Sequence, residues 1–340
     1  MSTALRRAGT IPLFLFLTAV MTVTLPLWLP VAWIVARASP AARTAPRVLA
    51  FLTAYLWCET IGIVVSAWLW LRHGLGRSRD ARRRFEEGNF ALQFWWANAL
   101  KRSAERLFRL RFVVEGDEAL GGDGVVLLPR HCSIGDTILP VVFYCVPHGR
   151  RLRYVLKREL LLDPCLDIVG NRLPNYFADR SSTDTAREVA GVQGLLEDLP
   201  ADHGVLIYPE GTRFSAAKRA HVLERIEARG DGAATARARA RTHVLPPRPA
   251  GTLGLLEANP GRDVVFMAHT GFEQSSNFAQ LFNGSWLDTE VRMRFWRVPF
   301  DALPATPEAR RAFLDEQWDR MEREVAQLVG DRGDVTAASP

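Results

Sequence analysis

The run Leu127-Leu128-Pro129-Arg130-His131-Cys132-Ser133-Ile134-Gly135-Asp136 organises this chain. Its upstream flank, Val125 to Leu128, is uninterrupted apolar sequence of the length of a short buried strand. The chain breaks at Pro129, then delivers a histidine and, five positions on, an aspartate, before a helix-like run from Thr137 to Val146. Of the seven histidines, only His131 has an aspartate at this offset. A carboxylate in reach of a loop-borne imidazole takes the proton on one ring nitrogen and fixes the tautomer. The other nitrogen is left to accept a proton from a substrate hydroxyl. This is the base-and-orienter half of a catalytic triad, with the nucleophile supplied by the substrate. The same pattern also fits a turn histidine with an aspartate placed near a helix start, where the macrodipole favours it. Cys132 adjoins His131, but neighbours in sequence need not meet in space, so a nucleophilic cysteine is the weaker reading.

Downstream, short apolar strands alternate with helical stripes. Strands are expected at Arg111–Val114, Val125–Leu128, Arg153–Leu156, Val205–Tyr208 and Val264–Ala268, and around Val291, Met293 and Phe295. Val189, Val192, Leu195, Leu196 and Leu199 form a helical stripe after the cap candidates Ser182 and Thr183. Thr306-Pro307-Glu308 opens a last helix whose buried face is Leu314, Trp318, Met321, Val325 and Leu328. The alternation implies an α/β layered domain with a mixed sheet.

Directly after the apolar Val205–Ile207 comes Tyr208-Pro209-Glu210-Gly211-Thr212-Arg213-Phe214. One tight loop thus holds a carboxylate, a permissive glycine, a hydroxyl and a guanidinium. Arginine is the natural bidentate ligand for phosphate, and glycine lets backbone approach a ligand closely. Two further cations follow α/β elements, Arg180 in Tyr176-Phe177-Ala178-Asp179-Arg180 and Lys157 in Lys157-Arg158-Glu159-Leu160. Three such cations can converge on an anionic headgroup.

Taken together these blocks resemble the glycerolipid acyltransferases of the 1-acylglycerol-3-phosphate type, over roughly Val125 to Phe272. The first block of that family, Asn-His, four residues and Asp, is Arg130 to Asp136 here. The second, Gly-x-x-Phe-aliphatic-Asp-Arg, is Pro174 to Arg180. The third, Phe-Pro-Glu-Gly-Thr-Arg, is Tyr208 to Arg213. The fourth, an apolar stretch with proline, is His243-Val244-Leu245-Pro246-Pro247-Arg248-Pro249. The chain departs from the pattern at Arg130, Pro174, Ala178 and Tyr208. The resemblance implies an α/β mixed-sheet acyltransferase domain with His131 and Asp136 as the catalytic pair. It also implies that Glu210, Gly211, Thr212, Arg213 and Arg180, with Lys157, hold the acceptor. It implies acyl transfer from acyl-CoA or acyl carrier protein to a lysophospholipid hydroxyl, most simply 1-acyl-sn-glycerol 3-phosphate, with no metal and no resident cofactor. The Leu-Pro-x-Arg form of the fourth block and an Arg-rich helical insert, 215–242, also suit acceptors of the lysophosphatidylinositol or lysocardiolipin kind. Backbone amides near Ser133–Gly135 are the candidate oxyanion donors. A non-catalytic membrane adaptor on the same fold stays open. A serine hydrolase is disfavoured, since no Gly-x-Ser-x-Gly elbow occurs.

Upstream, Ile11 to Ala36 carries no charge and is long enough to cross a hydrocarbon core of ~30 Å. A second apolar run, Val48 to Leu71, is interrupted only by Glu59, a carboxylate expected to face protein or an interface. The first run is too long for a signal-peptide core, although Ala36-Arg37-Ala38 imitates a cleavage site. The pair reads as an N-terminal membrane helical hairpin. The arginines at 72, 77, 79, 82, 83 and 84 then put the rest of the chain on the cytoplasmic side of a cell membrane. Phe90 to Phe108, aromatic and amphipathic, is either an interfacial helix or a core helix. The expected division is a hairpin with its basic stretch at 1–84, a catalytic domain at 85–330 and a disordered tail at 331–340.

The net charge of +6 suits an anionic membrane or substrate. Nucleic-acid binding would rest on that charge alone, since the arginines flank apolar segments and no recognition module is present. The four cysteines lack metal-type spacing and read as free thiols in a reducing compartment. The Arg-rich insert reads either as a surface for anionic lipid or an acidic donor or, preferably, as a solvated helical face.

Overall fold

The computed structural model describes residues 2–39, 42–179 and 182–337. In chain order its elements are α1 (Thr3–Ala38), α2 (Ala45–Leu69), α3 (Arg79–Phe108), β1 (Arg111–Glu115), β2 (Val126–Pro129), α4 (Val146–His148), β3 (Arg151–Lys157), α5 (Pro164–Gly170), β4 (Tyr176–Ala178), α6 (Thr185–Gln193), β5 (His203–Leu206), α7 (Ala216–Glu227), α8 (Gly232–Ala240), α9 (Pro249–Glu257), β6 (Val264–Thr270), β7 (Glu290–Val298) and α10 (Pro307–Ala337). They gather into two compact units. One comprises Met1–Leu110, Ile138–Arg180 and Ala279–Asp288; the other comprises Arg111–Thr137, Ser181–Phe278 and Thr289–Pro340.

In the first unit, the two apolar runs are helices long and apolar enough to cross a membrane. Among the described residues of α1 only Thr18 and Ala32 are buried, while Phe16, Val23, Leu27, Trp28 and Ile34 are exposed. A helix apolar on nearly every side suits lipid better than water. Several of the polar side chains it carries find partners. Thr18 Oγ1 donates to Phe14 O at 2.8 Å and meets Thr60 Oγ1 of α2 at 2.9 Å. Arg6 and Arg7 both pair with the fully buried Asp167 of α5, at 2.7 and 3.1 Å, and so fasten the start of α1. Glu59 faces protein, accepting from Trp96 Nε1 at 2.7 Å and from Cys165 N at 3.0 Å.

The expected boundary at 84/85 falls inside α3, which runs unbroken from Arg79 after its Ser78 cap. Leu69, Phe90, Leu92, Val169 and Leu173 share one apolar cluster, and this packing joins the end of α2 to α3 and α5. Of the two readings of Phe90–Phe108, the core helix is the one seen. Phe90, Ala97, Leu100 and Phe108 are buried, and the Phe108 ring meets Phe51 and Trp286 edge-on. The strands β3 and β4 pair in parallel, Val155 opposite Tyr176.

The second unit holds a sheet in the order β1-β7-β6-β2-β5. All its neighbours run parallel except the β6–β7 pair, so the sheet is mixed as expected. Strands β2, β5 and β6 are buried along their whole length, as central strands covered on both faces must be. Helix α10 covers the sheet with Leu314, Trp318, Met321, Val325 and Leu328, each at most 1% exposed. Thr306 Oγ1 caps it, accepting from Ala309 N at 3.2 Å. Asp184, rather than Ser182 or Thr183, caps α6, its carboxylate reaching Arg187 N at 3.0 Å.

The tail expected to be disordered from 331 is helical through Ala337. Asp331 sits 3.6 Å from Arg292 and 3.8 Å from Arg294 of β7, an anchor that outweighs the low helix propensity of Gly330 and Gly333. Positions 338–340 lie outside the described residues. The insert is also more structured than a solvated face. Arg239 pairs with Glu227, and Arg237 and Arg241 pair with Asp315 of α10.

Candidate active site

Buried strand β2 ends at Pro129, opposite Met267 of β6, and the ladder is carried one residue further by Arg130 N donating to Met267 O at 3.0 Å. His131 follows immediately, so the most rigid part of the sheet sets its position. Asp136 returns in a short helical turn, Gly135–Ile138. The Nδ1–H of His131 donates to Asp136 Oδ2 at 3.1 Å, and the side chain is 12% exposed. That oxygen also receives Cys132 N and Ser133 N, the latter at 2.8 Å. Two backbone amides and an imidazole thus hold one carboxylate oxygen, which leaves His131 Nε2 as the basic nitrogen with no hydrogen bond among the described residues.

Burial lowers the His131 pKa below its ordinary value, against the pull of Asp136; Arg213 and His269 push the same way as burial. Burial would raise the Asp136 pKa, but His269, His131 and the Ser133 amide hold it below the usual carboxylate range. The pair at neutral pH is therefore a neutral imidazole on an ionised carboxylate, the protonation states a general base needs. For any reaction that uses this base, activity falls as pH drops through the imidazole pKa. The acid limb of kcat/KM is thus expected below 6.5, and Arg213→Ala, which removes one influence lowering that pKa, should move the limb upward. A pH–rate profile of the two proteins checks this; an unmoved limb would separate Arg213 from the imidazole.

Glu210 proves to be a brace. It is 1% exposed, and its two oxygens accept His131 N at 2.8 Å and Leu245 N at 2.9 Å. Each oxygen bonds backbone, and Glu210 so ties the first block to the fourth. Burial pushes its carboxyl up to about 8, against those amides and Arg130. Gly211 has φ 65°, and a Cβ there would lie 2.8 Å from Arg248 Cδ, so the loop's turn requires glycine. Thr212 Oγ1 accepts from Lys218 Nζ at 2.9 Å. Arg213 is half-buried, acts electrostatically on His131, and has no carboxylate partner among the described residues. Lys157 falls in the first unit, at the end of β3, with its Nζ 3.3 Å from Glu159 Oε1. Arg180 lies outside the described residues.

The amides suggested as oxyanion donors are occupied. Ser133 N is on Asp136, Ile134 N donates to Ser275 O at 3.2 Å, and Gly135 N donates to Ser133 Oγ at 3.1 Å. Burial pushes the Cys132 thiol well up, which removes it as a nucleophile. Donor atoms of Cys132, Asp136 and His269 lie within 4.8 Å of one another, a metal-type grouping. With the thiol held protonated and Asp136 Oδ2 carrying two amides and His131, these residues fit a hydrogen-bonded cluster better than an ion.

Three features escape sequence reading. Arg130, fully buried, donates to His243 O, to His269 O and to Glu273 Oε1, the last at 2.8 Å. It gathers β2, β6 and the fourth block, and against burial it holds Glu273 down at about 2. His269 puts Nε2 3.1 Å from Arg130 O and 3.6 Å from Asp136 Oδ2, behind the carboxylate. The Tyr208 ring lies against His131 at a 33° tilt, with ring centroids 4.3 Å apart, and its hydroxyl donates to Asp136 O at 3.1 Å. The sequence signals for these were slight: two departures from a motif, and a histidine closing an apolar strand.

Residues 111–248 match the family model described as Acyltransferase. No curated protein matches the chain. Among solved structures it is similar to the crystal structure of the 1-acyl-sn-glycerophosphate (LPA) acyltransferase PlsC from Thermotoga maritima. The TM-score is 0.52 and the identity 16%, over 84% of this chain and 98% of that one. At that identity the likeness speaks for the fold. Residues 111–248, which hold the His131–Asp136 pair and the Glu210–Arg213 loop, are thus the part of the chain similar to the Acyltransferase family model, and the chain shares the fold of a glycerolipid acyltransferase.

Proposed function

We propose that the chain is a membrane-held O-acyltransferase that moves a fatty acyl group from an acyl thioester, acyl-CoA or acyl carrier protein, to the free hydroxyl of a lysophospholipid. The acceptor in this reading is 1-acyl-sn-glycerol 3-phosphate and the product phosphatidic acid; another lysophospholipid would use the same chemistry. The observation that carries the proposal is the His131–Asp136 pair, Nδ1 to Oδ2 at 3.1 Å, with Nε2 unengaged and Arg213, which has no carboxylate partner among the described residues, acting on the same imidazole.

His131 Nε2 takes the acceptor's hydroxyl proton as the hydroxyl oxygen attacks the thioester carbonyl carbon. The carbon–oxygen bond forms, the tetrahedral intermediate collapses, the carbon–sulfur bond breaks, and the imidazolium returns its proton to the leaving thiolate. Asp136 stays ionised and supports the imidazolium. No acyl-enzyme, metal or resident cofactor enters this scheme. Arg213 holds the acceptor phosphate and converts a bimolecular encounter into an oriented one. The apolar α1 and α2 keep the site at a bilayer, with the basic stretch at the start of α3 on the cytoplasmic face.

Thiol release by the detergent-solubilised chain, with long-chain acyl-CoA or acyl carrier protein and a panel of lysophospholipids, tests the reading. Arg213→Ala is expected to raise the acceptor KM by on the order of tenfold, the worth of one charge-assisted contact, with the donor KM unchanged. A raised donor KM beside a normal acceptor KM would take the headgroup role from Arg213. No transfer with either donor would sink the proposal.

A further inference from the structure

The second unit contains a cavity of about 520 Å³ between the helical insert, the fourth block and the start of α10. Its size is that of a small-molecule site, roughly 300–1,000 Å³. Six arginines line it, and they divide into two kinds. Arg237 and Arg241 are structural, paired with Asp315 and Asp319. Arg225, Arg229, Arg248 and Arg311 make no side-chain hydrogen bond or ion pair among the described residues. The acidic side chains on the wall do not offset them. Asp315 is already taken by Arg237 and Arg241, Asp231 caps α8 by accepting from Ala234 N at 3.0 Å, and burial keeps the Glu210 carboxyl up at about 8. Four uncommitted guanidiniums converging on a concavity create a field that phosphate groups neutralise best. Between the charges, Val222, Ile226 and Pro247 supply apolar wall suited to the face of a flat ring.

The cavity adjoins the catalytic loop. Thr212 lines it, and Lys218 at the start of α7 ties the insert to that loop through Thr212 Oγ1 and Arg213 O. Glu210, also on the wall, holds the amide of His131.

We infer that this cavity binds the phosphorylated nucleotide end of the acyl-CoA donor, seating its phosphates on Arg225, Arg229, Arg248 and Arg311 while the acyl thioester reaches the His131 side of the Glu210–Arg213 loop. The inference rests on the acyl-transfer reading and narrows its donor. A carrier protein would present an acidic surface and would need a broad basic face; a walled cavity of this volume suits a small polyanion.

The test uses the full-length chain in detergent and adenosine 3′,5′-bisphosphate as the probe. Calorimetric titration should give saturable binding to the unaltered protein. Arg229→Ala combined with Arg311→Ala, both exposed positions, should weaken it at least tenfold, the order expected for losing charge-assisted phosphate contacts. The same double variant should raise the acyl-CoA KM and leave the lysophospholipid KM unchanged. Absent binding, or unaltered affinity in the double variant, would overturn the site. A raised lysophospholipid KM would assign the cavity to the lipid headgroup and overturn the nucleotide assignment. Transfer from acyl carrier protein with no nucleotide binding would defeat this inference and leave the acyl-transfer reading standing. Nucleotide binding through Arg229 and Arg311 with no transfer to any acceptor would do the reverse.

Discussion

Replacing His131 with alanine is expected to lower turnover by about 10²–10⁴-fold, the usual worth of a positioned general base, while the protein stays folded. The imidazole is the one group of the pair that combines a basic nitrogen with 12% exposure; Asp136 is fully buried behind it. The structural contributions of residue 131 run through its backbone, which alanine keeps: N donates to Glu210 and O accepts from Phe214 N at 2.7 Å. Asp136 would lose one hydrogen bond but retain the Cys132 and Ser133 amides and the nearby His269 ring, so no buried charge is stranded. The stability cost should stay near the typical ~1 kcal/mol of a point substitution. Steady-state kinetics and a thermal melt on the same preparation check both halves. A variant that melts normally and turns over normally would remove the imidazole from the chemistry.

Much of this arrangement was legible in the sequence, for identifiable reasons. Val125–Leu128 and Val264–Ala268 read as strands because a central strand buried on both faces must be apolar throughout, and no helical stripe competes at that length. His131 and Asp136 were legible because five residues separate them, and one local turn closes that distance. The buried face of α10 followed from its periodicity. The boundary at 84/85 was misplaced because the switch from apolar to basic composition at Arg79–Arg84 marks a change of surroundings, and α3 continues through it. The role of Glu210 was hidden because its partners come from far along the chain: His131 lies 79 positions upstream and Leu245 lies 35 downstream. Arg130 and His269 were hidden for a related reason. Most of their hydrogen-bond partners are backbone carbonyls, His243 O, His269 O and Arg130 O, and a carbonyl leaves no mark on the sequence. A loop such as Glu-Gly-Thr-Arg reads as four ligands side by side, whereas the fold turns the carboxylate inward and leaves the guanidinium without a carboxylate partner among the described residues.

That division of labour within one loop makes Glu210→Gln the most informative single change. The glutamine amide offers one acceptor oxygen, where Glu210 accepts a backbone N–H on each of its two. Its NH₂ would face either His131 N–H or Leu245 N–H, donor against donor, and leave one buried amide unsatisfied. The cost expected is about 1–3 kcal/mol of stability. The functional effect exceeds the thermodynamic one, because the displaced group is the backbone that fixes His131, and small misplacements of a catalytic base cost up to about 10² in rate. Turnover should therefore fall steeply while the acceptor KM stays near that of the unaltered protein. A residue that touched the acceptor would show the opposite split, a raised KM with turnover partly kept, and that outcome would restore Glu210 to the headgroup site. Thermal melts across pH supply a second readout. With a folded pKa of about 8 against 4.5 for a free glutamate, Glu210 contributes stability that is complete below 4.5 and is lost as pH rises through about 8, because the unfolded chain ionises first. Glutamine does not titrate. The stability gap between variant and parent should thus be widest in mild acid and narrow as pH climbs toward 8, and a gap that widened instead would mean that the carboxylate, not the carboxyl, is the form the fold prefers.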